Sequence, residues 1–339
     1  MPRLELGVFL DLATESVTLA EHLRAWRPLL ERAEALGFAS VWAGESYPRG
    51  GGGFQHAPDP LLVLAALSQV TSMRLGTGVL LLPVWDTLKL AYDTIVLDQL
   101  SDGRLELGVG LGAAPTWKQF GIDAGAVGAR VDEQLAALRA LWSGEASFAG
   151  EHVRFDGAIG PRPIQPGGPP IWVGGKIGRS ARRAAELGDG YLAGTHFGLG
   201  LVRTQVERYR TALAERGQGP GRVAVNRIVV LADDVEQAWA EGGPSIERLL
   251  RKYAALKMFR GADELAAAPA GDMDALRSAA AGMCLVGTPE TVATELAAYT
   301  DLGIDQIQLR PAPGGMPPAV AARAIELAGT RLRALVERA

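Results

Sequence analysis

Residues 75–112 read LGTGVLLLPVWDTLKLAYDTIVLDQLSDGRLELGVGLG. The segment LGTGVLLL is a continuous apolar run too short for a core helix, as expected of a parallel strand buried on both faces. Pro83 breaks the run. TLKLAYDTIVLDQL then repeats its apolar residues at helical spacing, and SDGR turns the chain into a second apolar run, LELGVGLG. Strand, helix and strand make a βαβ unit, whose crossover is nearly always right-handed. Where such units repeat, the loops at the carboxyl ends of the strands hold the ligand site. Here those ends are Leu80–Trp85 and Gly110–Trp117.

The unit recurs in both directions. Upstream, Leu4–Leu10 reads as a strand and Ser16–Leu36 as an amphipathic helix closed by Gly37. Phe38–Ala43 is the second strand, Asp59–Val70 the second helix and Arg74–Leu82 the third strand. The loop between, GESYPRGGGGFQHAP, is too long and glycine-rich for a simple connector. Downstream, the fourth strand is Arg104–Gly110 and its helix Val127–Trp142, with an excursion over about Ser147–Pro170. Ile171–Gly175, Gly190–Gly194 and Val223–Leu231 follow as strands five to seven, with helices running to Leu187 and to about Glu215. A helical insertion, roughly 232–283, is larger than one unit needs. Thr288 caps the next helix with Pro289 at its first position. Asp305–Leu309 is the eighth strand and Pro318–Glu337 the last helix. The expectation is an α/β chain forming one (β/α)8 TIM barrel over residues 1–339, with an excursion after strand four and the insertion after strand seven. An open doubly wound sheet is the alternative, and would be unusually large.

Composition narrows the class. Of 339 residues, 48% are hydrophobic and 21% charged, enough for a large core. A net charge of −4 without a sustained basic run argues against a nucleic-acid partner. The single cysteine, Cys284, excludes an internal disulfide and reads as a small buried apolar residue. No signal-type sequence precedes LELGVFL, and no stretch is long and apolar enough for a bilayer, so a soluble, cytoplasmic protein is expected.

A barrel sorts its loops. LDQLSDGR joins a helix to a strand and so lies on the stability face, where Asp98 and Arg104 are expected to pair and Gly103 to supply the turn. The functional loops are those around Glu45–His56, Gly76–Trp85, Gly110–Trp117, Gly174–Ser180, Ala193–Gly198 and Leu309–Gly315. IWVGGKIGRSARRAAELGDG has the clearest logic. A strand ends in Gly174-Gly175 and a helix begins at once, which offers backbone N–H groups to an anion. Lys176, Arg179 and Ser180 could add to it, and a close backbone approach would need the same glycines.

LGTGVLLLP, the LDxLSxGR string at Leu97–Arg104, GVGLG at Gly108–Gly112, IWVGG…AAELGDG and VGTPETVATEL together resemble the bacterial-luciferase-like superfamily. The resemblance implies a (β/α)8 barrel with an insertion after strand seven. It also implies a flavin, either reduced FMN from a separate flavin reductase or the deazaflavin coenzyme F-420. By position, Gly174, Gly175, Gly194 and Thr195 would hold the flavin tail. Gly78 and Val79 fall where many members carry a non-prolyl cis peptide under the ring, and Gly110 lies close to the ring. Members are often homodimers through early barrel helices, and Trp26 on the first helix fits either such an interface or the core.

Departures from the family pattern are informative. Many deazaflavin members carry Asp-His after strand two and many FMN members Glu-His-His, whereas this chain has Glu45-Ser46-Tyr47. A glutamate and a lysine of the deazaflavin sugar-phosphate dehydrogenases align with Ala113 and Phe197, which argues against that activity. Glu45 is the first candidate for a polar catalytic residue, followed by His56 and Tyr47; His56 and His196 could fold back toward the site. Trp85, Trp117, Phe54, Tyr47 and Phe197 make the mouth largely apolar, suited to a ring, an apolar small molecule and O2 kept from water. The favoured reading is a monooxygenase using reduced FMN. A deazaflavin hydride-transfer enzyme, a non-catalytic flavin-binding barrel and a sugar-phosphate isomerase or aldolase are the alternatives. No metal-spaced His/Cys cluster is present.

Overall fold

The computed structural model describes residues 4–12, 17–47, 57, 59–311 and 313–337. Strand β1 (Glu5–Leu10) leads to helix α1 (Leu19–Ala35), β2 (Ser40–Ala43) to α2 (Pro60–Leu67), and β3 (Arg74–Thr77) with β4 (Leu80–Leu81) to α3 (Thr87–Leu100). β5 (Leu105–Gly110) is followed by α4 (Ala114–Gln119), α5 (Val127–Ser143) and the antiparallel hairpin of β6 (Ser147–Ala149) and β7 (Arg154–Asp156). β8 (Ile171–Gly174) and α6 (Gly178–Leu187) precede β9 (Gly190–Ala193) and α7 (Leu199–Glu215). The long β10 (Arg222–Leu231) enters the insertion, α8 (Val235–Ala255), α9 (Ala262–Ala267) and α10 (Met273–Ala280). β11 (Cys284–Gly287), α11 (Pro289–Asp301), β12 (Gln306–Arg310) and α12 (Pro318–Leu327) complete the order.

β1, β2, β3, β5, β8, β9, β10 and β12 pair in that order, and β12 returns to β1, closing an eight-strand parallel TIM barrel. Local sequence explains its starts and stops. Thr18 and Glu21 form a capping box on α1, so that helix begins at Leu19 rather than Ser16. Asp59 and Asp86 cap α2 and α3, and Thr288 caps α11. The last helix is interrupted by a π turn over Ala328–Leu332.

Two expectations need correction. Asp98 and Arg104 do not pair. Asp98 is fully buried and accepts hydrogen bonds from Ile164 N, Gln165 N and Gln165 Nε2, docking the excursion onto the barrel base. Arg104 donates to the carbonyls of Ser68, Thr71, Met73 and Ser101, while Gly103 turns at φ +73° as expected. The third strand is not continuous either. Leu75–Gly76 pair with Leu105–Glu106 and Leu80–Leu81 with Val109–Gly110, so one extra residue bulges between β3 and β4 at the cis Gly78–Val79 peptide. Beyond the eight barrel strands, Cys284–Gly287 forms one more. Ile228 pairs with both Arg310 and Cys284, so β11 takes the edge of β10 that β9 leaves after Val225.

Inside the barrel, the strand stagger stacks inward side chains in layers drawn from alternate strands. Trp42 lies against Gly76 and Trp172 against Gly190, where an added Cβ would stand 2.2 Å and 2.4 Å from the rings. The two indoles meet edge to face at 6.2 Å and plug the centre. From the level of Trp42 upward the layers run Trp42, Gly108, Leu192 and Gln308, then Phe9, Gly78, Gly174 and Asn226, then Gly44, Gly110, Gly194 and Arg310 at the mouth, as the registers dictate. Trp26 is 3% exposed and donates to His22 Nε2, so it belongs to the core.

Candidate active site

The mouth layer is almost free of side chains. Gly44, Gly110 and Gly194 contribute none, and the layer beneath has only Phe9 and Asn226 between Gly78 and Gly174. An added Cβ at Gly110 would come within 2.9 Å of Val79 Cγ2, and at Gly78 within 2.9 Å of Phe9 Cε2. The backbone is thus drawn tight around Val79 and Phe9, leaving a floor at the strand ends that is mostly glycine backbone. Of the expected cofactor residues, Gly78, Val79, Gly110, Gly174 and Gly194 all converge on this floor.

Gly175 leaves the floor at φ +155°, and an added Cβ there would lie 2.2 Å from Ser180 Oγ. The residues preceding α6 and α7, Ile177 and Gly198, make no side-chain cap bond, so both adjacent helices present uncapped N–H groups on the mouth side. Thr195 Oγ donates to Asn226 Oδ1 at 2.5 Å. Beneath this loop, fully buried Arg227 donates to the carbonyls of Gly194, Asn226 and Phe197 and to Tyr299 OH, fixing residues 194–197. Phe197, expected at the mouth, is accordingly buried in the core.

Glu45 is 8% exposed. Its Oε1 accepts from Leu81 N and from Trp85 Nε1 at 3.0 Å, and its Oε2 accepts from Tyr47 OH at 3.0 Å. Burial raises its carboxyl above the ordinary range, against the pull of these donors. Burial and the Glu45 charge likewise push the Tyr47 hydroxyl upward, and its ring meets Phe120 edge-on at 4.7 Å. The carboxyl therefore braces the β2 loop against β4 and Trp85. His56 and Phe54 lie outside the described residues. His196 is wedged between Phe197 and Tyr253, at 4.6 and 5.7 Å, and burial pushes its imidazole down to about 3, so it is neutral at physiological pH. Among the described residues, no cluster of three or more His, Cys, Asp or Glu side chains could hold a metal.

Two mouth residues were not singled out in the sequence, although Arg310 lies within the candidate loop Leu309–Gly315. Arg310, ending β12, donates from Nη2 to Asp11 Oδ2 at 2.7 Å and from Nη1 to Tyr253 OH at 3.1 Å, above the Phe9 ring. Asn226 projects from β10 into the floor. The signal for Arg310 was a period-two polar series, Gln306, Gln308 and Arg310, inside an otherwise apolar strand.

A sequence model described as luciferase-like monooxygenase matches residues 4–306. The chain is 31% identical over 191 residues to the oxygenase component of the flavin-dependent trigonelline monooxygenase of Acinetobacter baylyi, an alignment covering 55% of this chain and 52% of that protein. The chain thus spans about half the length of that relative. It is 27% identical over 305 residues to an FMNH(2)-dependent dimethylsulfone monooxygenase of Pseudomonas fluorescens, covering 83% of this chain and 80% of that one. Monooxygenase RslO1 from Streptomyces bottropensis superposes with a TM-score of 0.83 at 31% identity, over 99% of this chain and 100% of its own.

Proposed function

The chain belongs to the luciferase-like monooxygenase family, and from that premise we propose that it is an oxygenase using reduced FMN and O2 on an apolar small molecule, with the flavin delivered by a separate reductase. The observation that carries this reading is the glycine-lined mouth over Val79 and Phe9, where added Cβ atoms at Gly44, Gly78 and Gly110 would collide with the residues around them. The residues fit a planar ring with an anionic tail. Gly78, Val79 and Gly110 would support the ring, and Gly174, Gly175, Gly194, Thr195 and the uncapped turns of α6 and α7 would hold the phosphate.

Bound reduced FMN supplies the electrons that activate O2. The chain's part is to bind, orient and exclude water. Glu45 holds Trp85 and Leu81 in place and so acts as a positioning residue, its oxygens already engaged. Neutral His196 can exchange hydrogen bonds but keeps no proton in reserve at neutral pH. Flavin passed from a reductase requires a reducing compartment, and the cytoplasm is the proposed location. Among the described residues, no helix is long and apolar enough to cross a membrane.

We place a homodimer on α2 and α3. Leu88, Tyr92, Val96 and Leu100 are 38–49% exposed at four-residue spacing along α3, and Leu62 on α2 is 71% exposed. Both helices are also apolar on their barrel side, as helices covered on every face are.

The test of the activity is anaerobic loading with reduced FMN followed by O2. Release of hydrogen peroxide from the complex should lag well behind its release from free reduced FMN, because the mouth excludes water. Equal rates in the presence of saturating protein would contradict the reading.

A further inference from the structure

Arg310 is the one side chain among the four inward positions of the mouth layer, and its partners leave it unfinished. Asp11 Oδ2 accepts from Arg310 Nε at 3.2 Å, from Nη2 at 2.7 Å and from Gly314 N at 3.3 Å, while Nη1 donates to Tyr253 OH at 3.1 Å. That leaves one N–H on each terminal guanidinium nitrogen and the whole of Asp11 Oδ1 without a described partner. The pair is largely buried, with side chains 13% and 10% exposed. It offers donor and acceptor side by side.

Its place in the barrel says what it faces. Counted around the closed ring, β1 stands four strands from β8, so Asp11 and Arg310 lie across the mouth from the α6 helix end. A flavin whose phosphate is held at α6 and α7 would extend over the floor, with its far edge toward this pair. That edge carries C2=O, N3–H and C4=O, alternating acceptor, donor and acceptor. We propose that Arg310 and Asp11 recognise the pyrimidine edge of the flavin, Arg310 donating to a ring carbonyl and Asp11 Oδ1 accepting from N3–H. The inference rests on the flavin reading above and adds the orientation of the ring. The net charge of the pair is zero, so it selects an imide edge rather than an anion.

A ligand-side experiment tests this without disturbing the fold. Wild-type protein is titrated with FMN, riboflavin and 3-methyl-FMN, whose N3 cannot donate, following protein and flavin fluorescence. The expected result is about tenfold or more weaker binding of 3-methyl-FMN than of FMN, the scale of one hydrogen bond to a charged group. Arg310→Lys, which keeps the charge but loses the fork, should weaken FMN by a similar factor while leaving the ratio of FMN to riboflavin affinity unchanged. Equal binding of FMN and 3-methyl-FMN would overturn the inference, as would an Arg310→Lys effect that collapses the FMN to riboflavin ratio. Should that variant fail to fold, the methylated flavin decides alone. Failure of the wild type to bind FMN at all would overturn the flavin reading with it.

Discussion

Glu45 shows how far burial can move a residue from the role its type suggests. In the sequence it stood as the acid left behind where relatives carry an imidazole. In the fold it accepts from Leu81, Trp85 and Tyr47 and sits nearly out of water, which raises its carboxyl above the ordinary 4.5. The linkage has a definite sign. A raised folded-state value favours the protonated form, so its stabilising contribution is complete below the unfolded value and is lost as pH rises through the folded one. Glu45→Gln keeps an acceptor for Leu81 and Trp85 and does not titrate. Its stability relative to wild type should therefore improve as pH rises from 4 to 7, by at most about 1.4 kcal/mol per pH unit. Urea unfolding of both proteins across that range measures it, and a variant whose stability relative to wild type stays level or falls as pH rises would contradict the raised carboxyl. Arg310 and Asn226 were harder to read, because a polar residue in a strand looks the same whether it faces a neighbouring helix or the barrel axis. Only strand register separates the two.

At the scale of elements, the sequence was most legible where composition and period agree. The continuous apolar runs marked buried parallel strands, and the capped helices between them set the repeat. The non-prolyl cis peptide at Gly78–Val79 followed from the resemblance and is present. What escaped was decided by tertiary pairing. β11 is only four residues, and nothing in MCLVG distinguishes a strand from a buried turn until β10 is seen to outrun β9. Asp98 and Arg104 carry opposite charges at turn spacing, yet each meets backbone groups of the excursion or the α2–β3 connection instead. The exposed apolar stripe of α3 supports a prediction of its own. Val96→Glu combined with Leu100→Glu should convert a dimer to a monomer, seen by sedimentation or light scattering, with little change in the thermal midpoint of the monomeric fold. A monomeric wild type, or a double variant that stays dimeric, would remove α3 from the interface.

For the whole molecule, the barrel divides its mouth into two arcs. β2 to β9 end in glycines and apolar residues, while β10, β12 and β1 bring Asn226, Arg310 and Asp11. Above the polar arc the insertion adds Tyr253, whose hydroxyl meets Arg310, so the least predictable part of the chain reaches the mouth. Family and fold could be read from the sequence because they depend on patterns spread over most of it. The substrate could not, because its contacts come from single side chains on separate loops. The account stands or falls on which flavin this mouth accepts. The deciding measurement is anaerobic equilibrium binding of reduced FMN, oxidised FMN and coenzyme F-420 to the wild-type protein. Tightest binding of reduced FMN is the predicted result. Preference for F-420 would point instead to hydride transfer, and binding of none of the three would leave a barrel without the cofactor this account gives it.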